Sequence, residues 1–335
     1  RKRAAQEAIK SGEVSIAIGT HALLQEAVDF ARLGLVVVDE QHRFGVEQRA
    51  ALRDKGESPH MLVMTATPIP RTLALTVYGD LDITVVNEMP PGRPEVKTWR
   101  VTPQQRAHAY RFLRNKIAEG KQAYVIFPLV EESEVIQARA AVQEYERLSQ
   151  EVFPDLRLGL LHGRMAPSEK DAVMMAFRDH ELDVLVSTAV VEVGVDVPNA
   201  TVILIEGADR FGLAQLHQFR GRVRRSSEQA YCFLLSDNIS SDAMERLQIM
   251  ETTSDGFRLA EEDLRLRGPG EYFGTRQSGV PDLKVAQLTD VELIEEARTE
   301  ASRLLDADPD LRWPEHEPLR LAMERVWGRI SAEVS

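Results

Sequence analysis

The stretch Leu35-Val36-Val37-Val38-Asp39-Glu40-Gln41-His42-Arg43 joins a short apolar run to two adjacent carboxylates. Its Val-rich part is too short for a buried helix and predicts a central strand of a parallel sheet. Ligands of open α/β sheets bind outside the carboxyl ends of the strands, which is where Asp39 and Glu40 would lie. Two acids at such a place could hold a phosphate-bound Mg²⁺ and orient an attacking water. On its own, however, the dipeptide favours the simpler interpretation of a solvated strand end.

Strand and helix signals alternate around this stretch. The run from Val14 to His21 predicts a strand that ends in a Gly-Thr turn, and the run from Met61 to Thr67 predicts a buried strand that ends in hydroxyls. Helical segments are expected at residues 22–30 and 48–55. Such alternation predicts right-handed parallel βαβ units. Residues 1–88 are therefore expected to form the first α/β lobe.

A cluster of Pro and Gly predicts a linker at residues 89–95. Strand signals beyond it assign a second α/β lobe to residues 96–241. These signals lie at Gln122–Phe127, Leu156–Leu161, Val184–Ser187, Val202–Ile205 and Ala230–Leu235. Residues 242–335 are expected to form an appended segment with a Gly-rich centre and helices at Thr289–Leu305 and Leu319–Arg329.

The composition is that of a globular protein and excludes several kinds of site. The 335 residues include one cysteine, Cys232, so a disulfide framework and a cysteine-based metal site are excluded. A formal net charge of −12 argues against a protein that simply coats nucleic acid, because such binding needs many Lys and Arg contacts with phosphate. Neither a transmembrane-length apolar run nor a signal peptide occurs, which predicts a cytoplasmic protein that does not bind membranes.

The acidic box of the first lobe resembles that of superfamily 2 helicases. Asp39-Glu40-Gln41-His42 is similar to their Walker B box. The resemblance implies that Asp39 holds Mg²⁺ through the nucleotide and water, and that Glu40 orients the hydrolytic water. It also implies that Gln41 and His42 contact ATP.

A hydroxyl-bearing box in the same lobe adds to this resemblance. Thr65-Ala66-Thr67 is similar to the Ser/Thr-Ala-Thr box that links hydrolysis to DNA movement. The resemblance makes Thr65, Thr67 and the Thr20 of the Gly-Thr turn candidates for DNA contact or coupling. A simpler alternative is a strand end whose hydroxyls cap the following turn.

The second lobe contains two more boxes of this type. The stretch from Ser187 to Pro198 is similar to motif V, and by resemblance Thr188 would touch DNA phosphate while Gly194 and Asp196 approach the nucleotide. Read without the resemblance, it is a strand followed by a tight loop in which Gly194 supplies a permissive backbone.

Gln218-Phe219-Arg220-Gly221-Arg222-Val223-Arg224-Arg225 occupies the place of motif VI, usually Gln-x-x-Gly-Arg-x-Gly-Arg. By resemblance, Gln218 contacts the nucleotide, and Arg222 and Arg225 are arginine-finger candidates that stabilise the γ-phosphoryl charge. The chain departs from the motif at Arg224, where the family has Gly. That side chain could crowd the backbone, compete for the phosphate or substitute for a neighbour.

The appended segment narrows the resemblance to one family. The stretch from Asp263 to Gly279, with Arg-Gly-Pro-Gly-Glu and Gly-Thr-Arg-Gln-Ser-Gly, resembles the translocation motif of the RecG family of branched-DNA helicases more closely than that of transcription-repair coupling factors. By resemblance, a helical hairpin and loop here couple lobe closure to duplex movement, with Arg265, Arg267 and Gln277 as the residues to test. Without the resemblance, a Gly-rich connector held by local ion pairs is the simpler interpretation.

Taken together, the resemblance implies two RecA-like parallel-sheet lobes, the first incomplete, followed by the hairpin, the loop and C-terminal helices. It implies an enzyme that uses ATP and Mg²⁺ to reverse stalled forks and to process Holliday junctions, D-loops and R-loops, with branched and duplex DNA as partners. A bacterial cytoplasmic location at the nucleoid is expected. Whether a single-stranded-DNA-binding protein recruits the enzyme stays open.

Two features limit what the isolated chain is expected to do. No Gly-x-x-x-x-Gly-Lys-Ser/Thr loop occurs in the 335 residues, and the family's N-terminal wedge domain is not recognisable, so the chain alone is expected to hydrolyse ATP poorly or not at all. Two alternatives remain: a duplex translocase of the transcription-repair coupling type, and a junction-binding module without turnover, which only Arg224 favours.

Overall fold

The computed structural model describes residues 2–25, 27–40, 55–56, 59–67, 82–88, 92–128, 134–188, 196–224, 226–237, 240–267 and 291–324. The chain divides into two units, Arg1–Pro68 and Ile69–Ser335, and each unit is described by itself. The predicted linker and lobe boundaries stay predictions.

A small parallel sheet is the centre of the first unit. Strand β1 spans Leu35–Val38 and pairs in parallel with β2, His60–Val63. Val36 and Val38 are buried and pack against Leu33 and Met61. Helix α1 spans Lys2–Ser11 and precedes the sheet in the chain. Both strands lie where the apolar runs predicted them, but β2 is less buried than predicted, because its residues are alternately exposed and half-buried.

Two predictions for the first unit are wrong. Residues 14–20 belong to no strand, and Ile16 and Ile18 are 80% and 94% exposed. An alternating run becomes a strand only where a neighbour accepts its hydrogen bonds, and neither described strand of this unit pairs with it. The helix expected at residues 22–30 is only a 3₁₀ turn, His21–Leu24, because Gln25 leaves the helical region with φ −57° and ψ 142°. The helix expected at 48–55 falls almost wholly outside the described residues.

Six parallel strands form one sheet within the described part of the second unit. In chain order they are β3 (Lys97–Val101), β4 (Gln122–Phe127), β5 (Leu158–Leu161), β6 (Val184–Thr188), β7 (Ala200–Ile205) and β8 (Tyr231–Leu235). Their order across the sheet is β3-β8-β7-β4-β6-β5. The five predicted strands are confirmed within two residues, whereas β3 was missed because its alternating exposed and buried positions give no continuous apolar run.

Both faces of this sheet are covered. All six residues of β4 are buried, and they alternate between two apolar clusters: Tyr124 and Ile126 join one, and Val125 joins the other. Strands of a parallel sheet that is covered on both faces have continuous apolar sequences, and these strands could therefore be predicted. At the β3 edge, the Glu251 carboxylate accepts a hydrogen bond of 3.2 Å from the Arg100 backbone N–H. It also pairs with the Arg100 side chain at 2.7 Å.

The helices of the second unit alternate with its strands along the chain, and the last of them come after strand β8. They are α2 (Arg106–Ala118), α3 (Glu134–Arg147), α4 (Pro167–Arg178), α5 (Leu213–Gly221), α6 (Ser241–Thr252), α7 (Gly256–Arg267) and α8 (Val291–Ala307). Residues 317–324 are also helical. Helices α6 and α7 form a helical pair that lies mostly before the stretch from Asp263 to Gly279 where the hairpin is expected, and residues 268–279 of that stretch lie outside the described residues. Asp255 caps the start of α7 by accepting a hydrogen bond of 2.9 Å from the Phe257 N–H.

Candidate functional site

The acidic and hydroxyl boxes of the first unit leave the sheet at the same edge. Val38 is paired with Val63, and the Met64 N–H donates to the Val38 carbonyl at 2.8 Å. Asp39 and Thr65 therefore follow neighbouring parallel strands at their carboxyl ends, where ligands of such sheets bind. This arrangement brings together two of the predicted boxes of the first lobe.

The Asp39-Glu40 peptide has an unusual local geometry. The Asp39 carboxylate is exposed and accepts a hydrogen bond of 2.9 Å from the Glu40 N–H. Glu40 has φ 53°, in the left-handed region that residues other than glycine rarely adopt. Such conformations cost on the order of 1–3 kcal/mol and cluster at functional sites. Gln41 and His42 lie outside the described residues.

The hydroxyls of the Thr box make a local turn. Thr65 Oγ1 accepts a hydrogen bond of 3.1 Å from the Thr67 N–H, which is the capping role considered as the simpler interpretation. Thr20 is exposed and precedes the 3₁₀ turn, where its carbonyl accepts from the Leu23 N–H at 3.0 Å. These hydrogen bonds are local and do not test a DNA contact, so the DNA role of these threonines stays a prediction.

In the second unit, Thr188 ends strand β6 in a buried position. Its side chain is 3% exposed, and Oγ1 has no hydrogen-bond partner among the residues that the structure describes. Asp196 is exposed and lies shortly before β7. Gly194 lies outside the described residues.

Helix α5 carries two of the motif VI candidates. Gln218 and Arg222 are four positions apart, which places them on one side of the helix. Arg222 caps the C-terminus, and its N–H donates to the Phe219 carbonyl at 3.0 Å. Both residues are half-buried, and Arg225 lies outside the described residues.

Two buried charges fix α5 to the helical pair, and sequence reasoning missed both. Asp263 of α7 is 3% exposed and accepts a hydrogen bond of 3.3 Å from the Leu213 N–H at the start of α5. A carboxylate is favourable at a helix N-terminus, and the N-cap residue of α5, Gly212, has no side chain to supply one. Arg220 is 4% exposed and donates to the Met250 and Thr253 carbonyls, both at 2.8 Å.

The spacing of Arg220 could have revealed its role. It follows Leu213 and Leu216 by seven and four positions, so a helical projection places it on the buried face of α5. Its Nη2 contacts His217 Nδ1 at 3.1 Å. Burial, then the charges of Arg220 and Arg224, lower the pKa of His217 from 6.5 to about 4. His217 is thus neutral at physiological pH.

Two arginines of the appended segment make further contacts, of which Arg265 was a predicted site residue and Arg246 was not. Arg265 is exposed and pairs with Glu245 of α6 and Glu262 of α7, and these hydrogen bonds raise its pKa. Arg246 of α6 donates to the Asp209 carbonyl, shortly after β7, at 3.0 Å. Arg267 is the last residue of α7, and its side chain, like Gln277, lies outside the described residues.

The described residues contain neither a preformed metal site nor a membrane-spanning helix. No group of three or more His, Cys, Asp or Glu side chains there could hold a metal ion. None of the helices described is long and apolar enough to cross a membrane.

Three family models match consecutive parts of the chain. "DEAD/DEAH box helicase" matches residues 1–76, "Helicase conserved C-terminal domain" matches residues 105–227, and "ATP-dependent DNA helicase RecG, domain 3, C-terminal" matches residues 253–327. The order of these matches confirms the predicted fold class, a pair of RecA-like lobes followed by C-terminal helices.

Curated relatives resemble the chain over nearly its whole length. ATP-dependent DNA helicase RecG of Synechocystis sp. is 51% identical over 98% of the chain and 40% of the relative. The Bacillus subtilis protein of the same name is 48% identical over 96% of the chain and 47% of the relative. The chain thus spans less than half the length of these relatives.

A solved structure described as RecG bound to a three-way DNA junction is also similar. It has 48% sequence identity and a TM-score of 0.68, and the match covers 88% of the chain and 38% of the solved chain. Sequence identity, family model and structural likeness agree that the chain is similar to the RecG family over nearly its whole length.

Proposed function

We propose that the chain is the motor portion of an ATP-dependent DNA helicase that reverses stalled replication forks and processes Holliday junctions, D-loops and R-loops. The observation that carries this proposal is the attachment of α5, with its motif VI residues, to α7, which leads into the Arg-Gly-Pro-Gly stretch. A change at the nucleotide side of α5 would thereby reach the segment proposed to move DNA.

Nucleotide roles are proposed for residues of each unit separately. Carboxylate oxygens are the ligands that Mg²⁺ prefers, and the exposed Asp39 at the end of β1 fits a metal held partly by phosphate and water. In the proposal Glu40 orients the attacking water, and Arg222 and Arg225 stabilise charge on the transferred phosphoryl group. The remaining nucleotide contacts are assigned to Gln41, His42, Gly194, Asp196 and Gln218. Bound ATP supplies the phosphoryl group whose transfer drives the cycle.

DNA contacts and coupling are assigned to a second set of side chains. Thr188 supports this assignment, because an orphan buried hydroxyl at a strand end is available for a phosphate oxygen. Arg265 ties α7 to α6 and would keep the helical pair rigid as it moves. The full proposed set is Thr20, Thr65, Thr67, Thr188, Arg265, Arg267 and Gln277.

Branched DNA is the proposed substrate, because a relative of 48% identity has been solved on a three-way junction. Duplex DNA is the proposed track. The proposed location is the bacterial cytoplasm, at the nucleoid, with single-stranded-DNA-binding protein as a further proposed partner.

The test is a Glu40→Gln substitution in the full-length protein that contains this chain. Without the carboxylate that orients water, junction-stimulated ATP hydrolysis should fall at least about a hundredfold, as for loss of a general base, and fork reversal should stop. ATPase and fork-reversal assays measure both. The matched control is Glu300→Gln, because Glu300 is exposed on α8 and pairs only with Arg303 among the described residues.

Absence of junction-stimulated hydrolysis in the wild-type protein, with junction binding kept in both the wild type and Glu40→Gln, would favour the junction-binding module without turnover. Displacement of a stalled RNA polymerase by the wild-type protein, without fork reversal, would instead favour a coupling-factor type of translocase.

A further inference from the structure

The residue at which the chain departs from motif VI sits in an ordinary backbone conformation. Arg224 follows the end of α5, and its N–H donates to the Gly221 carbonyl at 3.3 Å. Described non-glycine residues with positive φ are Glu40, His180 and Leu311, so Arg224 is not in the region that would favour glycine. An arginine in place of the family's glycine therefore adds no backbone strain here.

The Arg224 side chain includes a covered N–H group that has no hydrogen-bond acceptor among the described residues. The residue is half-buried, and its Nε is fully covered yet has no hydrogen-bond partner among the described residues. An ion pair of its guanidinium is likewise absent from the described part of the chain. Arg106 Nε is a second covered guanidinium donor without a hydrogen-bond partner in the described ranges, but Arg106 forms ion pairs with Glu206 and Asp237. Leaving a covered donor of a charged group unpaired is unfavourable, and each such case in a native structure calls for an explanation such as a ligand or ion.

The surroundings of Arg224 carry more positive than negative charge. Its charge contributes to the lowered pKa of both His217 and Arg220, after the larger effect of burial on each. The acids that oppose these shifts have partners: Asp255 caps α7, and Glu95 accepts a hydrogen bond of 2.7 Å from Ser254. An anion that reached this turn would meet the positive charges of Arg224 and Arg220.

We propose that Arg224 is an additional nucleotide-binding residue, whose guanidinium contacts a phosphate oxygen of bound ATP or ADP. The inference rests on the proposed function, because it adds a ligand contact to the same nucleotide site. A compact phosphate group of a nucleotide can reach a half-buried guanidinium. Guanidinium groups also fork onto phosphate oxygens, which suits this role.

The test compares Arg224→Gly, Arg224→Gln and Arg224→Lys in the full-length protein. Binding of a fluorescent ADP analogue should weaken about tenfold in the Gly and Gln variants, the size expected for one charge-assisted hydrogen bond, and less in the Lys variant. The KM for ATP should rise in parallel while kcat changes less. Junction binding without nucleotide should stay at the wild-type level. Arg303→Gln, on exposed α8, is the matched control for loss of one guanidinium.

Thermal unfolding separates this role from a structural one. Without nucleotide, Arg224→Gly should be as stable as the wild type or more stable, because an unpaired half-buried charge is removed. With saturating ADP, its increase in melting temperature should be smaller than that of the wild type. A variant that loses stability without nucleotide, yet keeps the full increase with ADP, would contradict the proposal.

Other outcomes are equally decisive. Wild-type nucleotide affinity in Arg224→Gly would overturn the proposal, and a simultaneous loss of junction affinity would assign the residue to DNA phosphate. Failure of the wild-type protein to bind ADP or hydrolyse ATP would instead contradict the proposed function itself.

Discussion

Strands β1 and β4 have similar apolar sequences but different surroundings. In β1, Leu35 and Val37 are 58% and 52% exposed, whereas the alternate residues Val36 and Val38 are 7% and 3% exposed. In β4 every residue is buried. Exposed Leu62 of β2 extends the open face of the small sheet. An apolar strand sequence thus permits burial on both faces. Whether both faces are buried depends on the elements that pack against the strand.

The two sheets should differ most in how much free energy of unfolding is lost when an apolar side chain is shortened to alanine. Ile203→Ala in β7 removes a fully buried side chain and should lower the free energy of unfolding of the second unit by about 2–5 kcal/mol. Val37→Ala, the matched change on the open face of β1, should change stability by less than about 0.5 kcal/mol. Denaturant unfolding of the chain measures both. Equal losses would mean that Val37 is covered in solution.

A smaller effect should come from the buried histidine of α5. The pKa of His217 is lowered to about 4, so between pH 6.5 and 4 the unfolded chain binds a proton that the folded chain does not. Stability should therefore fall as the pH drops through this window, by up to about 3 kcal/mol. Unfolding measured across this range should show a flatter pH dependence for His217→Gln than for the wild type. The same slope in both proteins would assign the acid sensitivity to other groups.

The smallest expected change in stability comes from the contact between α7 and α5. Asp263→Asn keeps an acceptor at the start of α5 but removes its charge, and should cost about 1 kcal/mol. In the full-length protein it should reduce DNA unwinding more than ATP hydrolysis, because the link between α5 and α7 is weakened. Asp242→Asn, in the first turn of α6, is the control. Equal losses of unwinding and hydrolysis would indicate damage to the nucleotide site rather than to coupling.

The same contrast explains how far the sequence could be interpreted. Continuous apolar runs gave β4, β6 and β7, because strands covered on both faces need apolar residues at every position. Edge strand β3 was missed, and the run at Val14 was assigned to a strand that is not formed, because both outcomes depend on a neighbour rather than on the run itself.

Some side chains of the candidate site could be predicted from the sequence, and others could not. Asp39 and Thr65 were predictable as neighbours, since the carboxyl ends of adjacent parallel strands meet at one edge. Asp263 and Arg220 were not recognised, because their partners are backbone groups 50 and 30 residues away in the chain. Local sequence does not specify which helix end a distant charge will reach.

The pairing of Glu251 with Arg100 bears on how copies of the protein behave when crowded. An uncovered edge strand offers its backbone to any other chain and is a common start of aggregation. Here the Arg100 N–H on β3 is already bonded to a side chain of α6. One backbone donor of this edge strand is therefore already used within the chain, which makes strand pairing with another copy at β3 less favourable.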